Sequence, residues 1–274
     1  MPESDWSIEI IRRPKPGFPF RTALFDFDGT VSLIREGWQG IMIPYFTEVV
    51  METPGAGGYD AERVNVTDFV DMLTGKQTIF QCIRLDEEVV KRGGEKRDPL
   101  FYKNEYLRRL MEKIKDRREG LGNGAAKPEE FLVSGATRLF RALREKGVAL
   151  YLASGTDEPQ VLEEASLLQV NGYFGGNIFG AKDAQTDCSK EMVIRDILER
   201  DGLRGNELLS FGDGYVEIEL VKNVGGYSVA VATDEKRRKG IDPWKRNRLL
   251  AAGADAVIPD FSETDKLMEF LQGR

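Results

Sequence analysis

Two aspartates separated by one residue, Asp26 and Asp28, stand just after the apolar run Thr22-Ala23-Leu24-Phe25, within the stretch Asp26-Phe27-Asp28-Gly29-Thr30. The apolar run reads as a buried strand, and Gly29 gives the chain the freedom to turn sharply after it. Carboxylates at the end of a buried strand are costly to desolvate unless they hold a metal or react. In an open α/β sheet the carboxyl ends of the strands are also where ligands bind. Taken alone, Asp-Gly-Thr is ordinary turn and helix-capping chemistry, so the rest of the chain has to decide.

Three further groups of polar side chains follow similar runs or open helical stretches. Ser154-Gly155-Thr156 comes directly after Val148-Ala149-Leu150-Tyr151-Leu152-Ala153. Lys190 opens a helical stretch, and Gly212-Asp213-Gly214-Tyr215-Val216-Glu217 comes directly after Leu208-Leu209-Ser210-Phe211. Each group has a plain structural explanation: a helix N-cap, a solvated lysine, a turn, the polar face of a helix. Their joint occurrence in this order at strand ends points to a shared site.

The chemistry these residue types support together is phosphoryl transfer. A carboxylate such as Asp26 can attack phosphorus and form an aspartyl phosphate. That attack meets like-charge repulsion, which a divalent cation and a lysine relieve. Asp26, Asp28 and Asp213, with Glu217 as a further donor, make a hard-oxygen set suited to Mg²⁺, with a backbone carbonyl and waters completing the shell. Ser154 or Thr156, with Gly155 and nearby backbone N–H groups at a helix N-terminus, would cradle phosphate oxygens. Lys190 would bridge Asp26 and the phosphate, and Lys182 and Lys222 compete for that role. Asp28 would give a proton to the leaving oxygen and later take one from water.

The elements that must position these groups alternate. The periodicity predicts strands over 22–27, 148–153, 177–179, 207–211, 227–232 and 256–259. Helices are expected over 135–146, 158–168, 190–200, 245–252 and 262–271. Trp6, Ile8 and Ile10 alternate with polar residues in a leader over 1–20 and could add an edge strand. Between the first two strands the spacing is helical over 41–50, 67–73, 79–90 and 100–114, and the Gly-rich stretch 117–128 reads as a linker. Strands alternating with helices imply a doubly wound parallel sheet, and the helical stretch reads as an inserted domain.

Composition sets the outer limits. The 274 residues carry 41% hydrophobic and 31% charged side chains, enough for a full core and a smaller second domain. A net charge of −7 argues against a general nucleic-acid or anionic-membrane surface, and no apolar run approaches a membrane span. The absence of histidine excludes Ser-His-Asp and Cys-His catalysis and His-ligated zinc. Cys82 and Cys188 lie far apart without metal spacing, which fits small packed side chains in a reducing cytoplasm. The acidic start, Met1-Pro2-Glu3-Ser4-Asp5, is unlike a secretory signal, and a cytoplasmic location is expected.

On these motifs the chain resembles the haloacid dehalogenase-like (HAD) hydrolase superfamily, made up largely of phosphatases. Asp26-Phe27-Asp28-Gly29-Thr30 is similar to its first motif, with Asp26 as nucleophile and Asp28 as acid/base. Ser154 is similar to the second motif, Lys190 to the third, and Gly212-Asp213 with Glu217 to the fourth, the magnesium acids. The family usually has Asp where this chain has Glu217, which is longer by one methylene. The resemblance implies a Rossmann-like core over 1–34 and 131–274 and an α-helical cap of the C1 class over 35–130. Such a cap closes over the site, excludes water and selects the substrate. Within it Thr74-Gly75-Lys76-Gln77-Thr78 reads as a loop, and Lys76, Gln77 and Arg84 are candidates for substrate contact, ahead of Arg35, Glu36 and Trp38 near the hinge. The loop lacks the length and second glycine of a nucleotide-binding P-loop.

Asp28 bears on the reaction type. A dehalogenase releases halide unprotonated and needs no acid at this position, whereas an alkoxide leaving phosphorus benefits from one. A phosphonatase would use a Schiff-base lysine in the cap, for which Lys76 is the nearest candidate, and the presence of Asp28 argues against it. The expected function is therefore a Mg²⁺-dependent phosphatase acting on a small phosphorylated metabolite, a sugar phosphate or phospho-acid. A phosphomutase resembling β-phosphoglucomutase shares all four motifs and stands second, and a non-catalytic regulatory protein on the same fold stands third. No nucleic-acid or membrane partner is expected, and the chain would be a monomer or a homodimer.

Overall fold

The computed structural model describes residues 7–182 and 190–273. Trp6 and Cys188 lie outside the described residues. The chain divides into two compact units, one made of residues up to Glu36 and from Arg118 onward, the other of Gly37–Arg117.

In chain order the elements are β1 (Glu9–Ile10), β2 (Thr22–Phe25), α1 (Gln39–Met51), α2 (Tyr59–Leu73), α3 (Thr78–Lys91), α4 (Pro99–Asn123) and α5 (Ala136–Glu145). They continue with β3 (Ala149–Asp157), α6 (Glu158–Leu167), α7 (Asn171–Phe174), β4 (Ile178–Ala181), α8 (Lys190–Arg200), β5 (Leu208–Gly212) and α9 (Tyr215–Asn223). The last are β6 (Tyr227–Val231), α10 (Pro243–Ala251), β7 (Ala256–Ile258) and α11 (Thr264–Leu271).

The first unit is built on a seven-stranded sheet of order β1-β7-β6-β5-β2-β3-β4. β1 pairs antiparallel with β7, as the alternation in the leader suggested, and every other neighbouring pair is parallel. Strand parity sorts the core into two layers. Leu24 and Tyr151 cluster with Ile194 and Ile197 of α8 and Val221 of α9 on one face. Phe25 points the other way, stacked on Phe211 and set edge-on to Phe140 of α5 and Phe174 of α7. Helices therefore cover both faces of a mostly parallel sheet, a Rossmann-like α/β fold.

The second unit is helical. Met42, Phe46 and Val50 of α1, Val66, Phe69 and Val70 of α2, and Cys82, Leu85 and Val89 of α3 are buried at helical spacing. The helix α4, which begins in this unit and ends among residues of the first, corrects the expected linker: it runs on through Arg117, Gly120 and Gly122 to Asn123 and is followed by Gly124, where φ is +78°. The apolar stripe explains this, because Leu110, Ile114 and Leu121 are buried along one face and outweigh the roughly 1 kcal/mol that each helical glycine costs.

Candidate active site

Asp26 follows the last residue of β2 and shares the face of Leu24, which packs against α8. Lys190 opens α8 one turn before Ile194 and lies over that same face. Its ammonium sits 2.8 Å from Asp26 Oδ1 and donates to Glu217 Oε2 at 2.8 Å. All three side chains are buried. The N–H of Asp26 donates to the carbonyl of Phe211 at 2.9 Å, which holds it beside the end of β5. Lys182 faces Glu158 at 3.7 Å and Lys222 packs on Gly253, whereas Lys190 lies beside Asp26.

Two glycines make the convergence sterically possible. Gly29 adopts φ +78°, and a Cβ there would lie 2.1 Å from Asp213 Oδ2. At Gly212 a Cβ would lie 2.2 Å from Glu217 Oε1. With these positions bare, Asp26, Asp213 and Glu217 each offer an oxygen within 4.8 Å of the others. Burial pushes the Asp26 carboxyl well above the usual carboxylate range; Lys190 opposes this, and Glu217 and Asp213 reinforce it. Lys190 is itself held protonated, since Asp26 and Glu217 outweigh the cost of its burial.

Glu217 is occupied at both ends. One oxygen accepts from Lys190, and the other accepts from the N–H of Gly214 at 2.7 Å, capping the first turn of α9. Asp28 lies outside this three-acid cluster. Its Oδ2 accepts from the Thr156 hydroxyl at 2.8 Å and the Ser154 hydroxyl at 3.3 Å, and its Oδ1 lies 3.7 Å from Arg35 Nε. β3 does not stop at Ala153 as expected but runs through Ser154, Gly155 and Thr156 to Asp157, and α6 starts at Glu158, as the sequence predicts. Pairing of Asp157 with Ala181 of β4 extends the strand, and Gly180 allows the close approach, since a Cβ there would meet Glu158 Cα at 2.3 Å.

Several residues escaped the sequence reading. Arg35, placed there among hinge contacts, is buried in the sheet unit and donates to Glu164 at 3.0 and 2.8 Å and to Gln160 at 2.9 Å. Burial raises the Glu164 carboxyl and Arg35 offsets part of that rise. A second lysine, Lys245, lies 2.6 Å from Asp213 Oδ2 and also bonds Glu235. Lys245 stands in the first turn of α10, where Asp242 accepts from the N–H groups of Trp244 and Lys245 at 2.8 and 3.0 Å. Glu235 sits in the turn after β6, closed by the Thr233–Ile241 bridge. The sequence carries a signal for Glu235: the run Asp234-Glu235-Lys236 follows a strand that ends on the same edge as β2 and β5.

The donor set fits a hard divalent cation. Among the described residues, six acids, Asp26, Asp28, Asp213, Glu217, Glu235 and Glu164, share three cations, Lys190, Lys245 and Arg35, so the cluster is short of positive charge.

In the helical unit, Thr74–Gln77 forms the turn between α2 and α3, with Gly75 at φ +95°. Gln77 is buried at the start of α3, and the Lys76 ammonium lies 6.0 Å from the Phe80 ring. Arg84 is engaged by Glu87 and Glu88.

A mostly parallel sheet wrapped on both faces, with acids and lysines gathered at the carboxyl ends of its strands, is a Rossmann-like α/β fold with a ligand-binding edge. The chain belongs to the haloacid dehalogenase-like hydrolase family, whose model matches residues 20–225. No curated protein matches the sequence. Among solved structures, a predicted phosphoglycolate phosphatase from Haemophilus somnus superimposes with a TM-score of 0.60 at 15% identity, over 91% of this chain and 98% of that one. A β-phosphoglucomutase from Clostridium difficile gives 0.62 at 12% identity, over 93% and 98%. A phosphonoacetaldehyde hydrolase-like protein from Oleispira antarctica gives 0.59 at 14% identity, over 97% and 98%. At these identities the likeness is one of fold. Among the described residues no helix is long and apolar enough to cross a membrane.

Proposed function

We propose that this chain hydrolyses the phosphate monoester of a small phosphorylated metabolite, a sugar phosphate or phospho-acid, through an aspartyl phosphate on Asp26. The observation that carries the reading is the division of labour between two carboxylates of one motif. Asp26 is buried against the Lys190 ammonium at 2.8 Å, while Asp28, two residues on, is held by the Thr156 hydroxyl at 2.8 Å. Carboxylates in such different settings suit different roles.

An Asp26 oxygen attacks phosphorus, the ester P–O bond breaks, and Asp28 gives its proton to the departing alkoxide. Asp28 then takes a proton from water as that water attacks the phosphorus, which frees Asp26 and releases phosphate. Lys190 lowers the repulsion between Asp26 and the incoming dianion, and Ser154 and Gly155 bind phosphoryl oxygens. Asp26, Asp213 and Glu217 would hold Mg²⁺, with Asp28 contributing from the same motif; when bound, the ion supplies positive charge against the charge on the phosphoryl oxygens. The helical unit is read as the cap that selects the substrate, with Lys76 and Gln77 as its contacts.

The test is phosphate release from a panel of sugar phosphates, phospho-acids and nucleotides, with and without Mg²⁺. Mg²⁺-dependent release confined to a few related compounds is the expected result. Transfer of phosphate between hydroxyls of one sugar, without net release, would assign a phosphomutase instead. No turnover of any compound by the folded protein would overturn the reading.

A further inference from the structure

Each of the two lysines at the site, the buried Lys190 and the half-buried Lys245, is shared between two carboxylates, but they are shared differently. Both partners of Lys190, Asp26 and Glu217, belong to the three-acid cluster. Lys245 has one partner inside the cluster, Asp213 at 2.6 Å, and one outside it, Glu235. The Lys245 side chain is only 13% exposed, so its ammonium cannot simply leave for water. Glu235 is also close to the turn that carries the nucleophile, since a Cβ on Gly29 would lie 3.0 Å from its Oε1. Asp213 is otherwise lightly held, its Oδ1 accepting a 3.3 Å bond from Thr30.

Acids gathered this closely in a desolvated site repel one another unless a cation is present. A divalent cation on Asp213 in turn brings a like charge up to Lys245. An ammonium with a second carboxylate to fall back on resolves both conditions. We propose that Lys245 is a placeholder cation: it neutralises Asp213 in the metal-free protein, competes with the metal for that carboxylate, and is retained by Glu235 when the metal binds. Lys245 and Glu235 are thus positioning residues that set metal affinity, an inference that rests on the metal reading of the acid cluster.

The test is a mutant cycle read by calorimetric titration of the full chain with Mg²⁺. Lys245→Met removes the competitor and is expected to tighten binding by about tenfold. Glu235→Gln leaves the ammonium with Asp213 alone and is expected to weaken binding by about tenfold. The decisive protein is the double variant. Glu235 acts only through Lys245, so Lys245→Met with Glu235→Gln should bind as tightly as Lys245→Met. A double variant that returns to wild-type affinity would mean two independent charge effects and would overturn the proposal. So would weakening by both single variants, which is the mark of a merely structural pair. If Lys245→Met fails to fold, the double variant, which removes one charge of each sign, is compared directly with wild type: tighter binding supports the proposal, and equal or weaker binding overturns it. A wild-type protein that binds no Mg²⁺ would overturn the metal reading itself, a result distinct from Mg²⁺ binding with an additive cycle.

Discussion

Each unit of the molecule buries an ionic network, and the two are balanced differently. In the helical unit Arg92 holds Glu62 through two hydrogen bonds of 2.9 and 2.7 Å and also bonds the fully buried Glu88, which Arg84 and Asn65 serve as well. The Arg92 hydrogen bonds hold the Glu62 carboxyl below its usual range. Burial pushes Glu88 up, but Arg92, Asn65 and Arg84 together bring it below its usual value. In the sheet unit the balance is reversed. Burial raises Asp26 and Glu235 against the pull of Lys190 and Lys245, and neighbouring acids add to the rise. Matched charges fix a structure, whereas an excess of one sign leaves a capacity for a ligand of the other. The local sequence differs too: residues 84, 88 and 92 meet because they are four apart around one helix, turn after turn, while the sheet-unit cluster is assembled from six separate strand ends and helix starts.

Replacing one member of each network should separate the two behaviours. Asp26→Asn is expected to lower phosphate release at least about a thousandfold, because the nucleophile is lost, while the protein stays folded. Retained turnover would remove Asp26 from the chemistry. Arg92→Met is expected to do the opposite, costing about 3 kcal/mol in denaturant unfolding, because Glu62 then loses its arginine and Glu88 loses one of two. A change well under 1 kcal/mol would mean that the helical network is not a matched structural one. Thr156→Val removes one hydrogen bond to Asp28 and is expected to lower kcat by about tenfold with KM little changed. An equal rise in KM would point to substrate binding instead.

The pH dependence of stability sharpens the contrast further. Glu62 and Glu88 are depressed, so their contribution is present above the ordinary glutamate range and is lost as pH falls through their folded values. Asp26 and Glu235 are raised and keep protons that the unfolded chain has released. Their contribution is present below the ordinary carboxylate range and is lost as pH rises through their folded values. Melting curves of the metal-free protein should therefore decline in both directions. Asp26→Asn should flatten the decline on the alkaline side and leave the acid side unchanged.

Much of this is legible in the sequence because β2 and β5 are apolar runs closely followed by the acids Asp26 and Asp213. That Asp26 and Asp213 stand side by side depends on the pairing of β2 with β5, which the order of elements along the chain does not state. The run through Ser154-Gly155-Thr156 was misread as a strand end because its extension depends on pairing with β4, a contact remote in sequence. Gly120 and Gly122 suggested a break in α4, since local propensity cannot weigh the burial of Leu121 against them. The ion pair of Arg35 with Glu164 joins residues far apart in the chain and has no local pattern. Lys245 and Glu235 were missed differently: they follow a recognised strand, and only the assumption that four motifs complete the site left them aside.

The Asp242 cap that fixes the backbone of Lys245 also fixes the residue before it. Trp244 is 44% exposed, and the Arg248 guanidinium lies 5.2 Å from its ring. An indole one residue from an ammonium that exchanges partners responds to the change of local field through the wavelength and yield of its fluorescence. The chain has three tryptophans, so Trp6→Phe with Trp38→Phe would leave Trp244 as the single emitter. Stopped-flow mixing of that protein with Mg²⁺ would then time the release of Asp213 by Lys245, an event that equilibrium titration can only weigh.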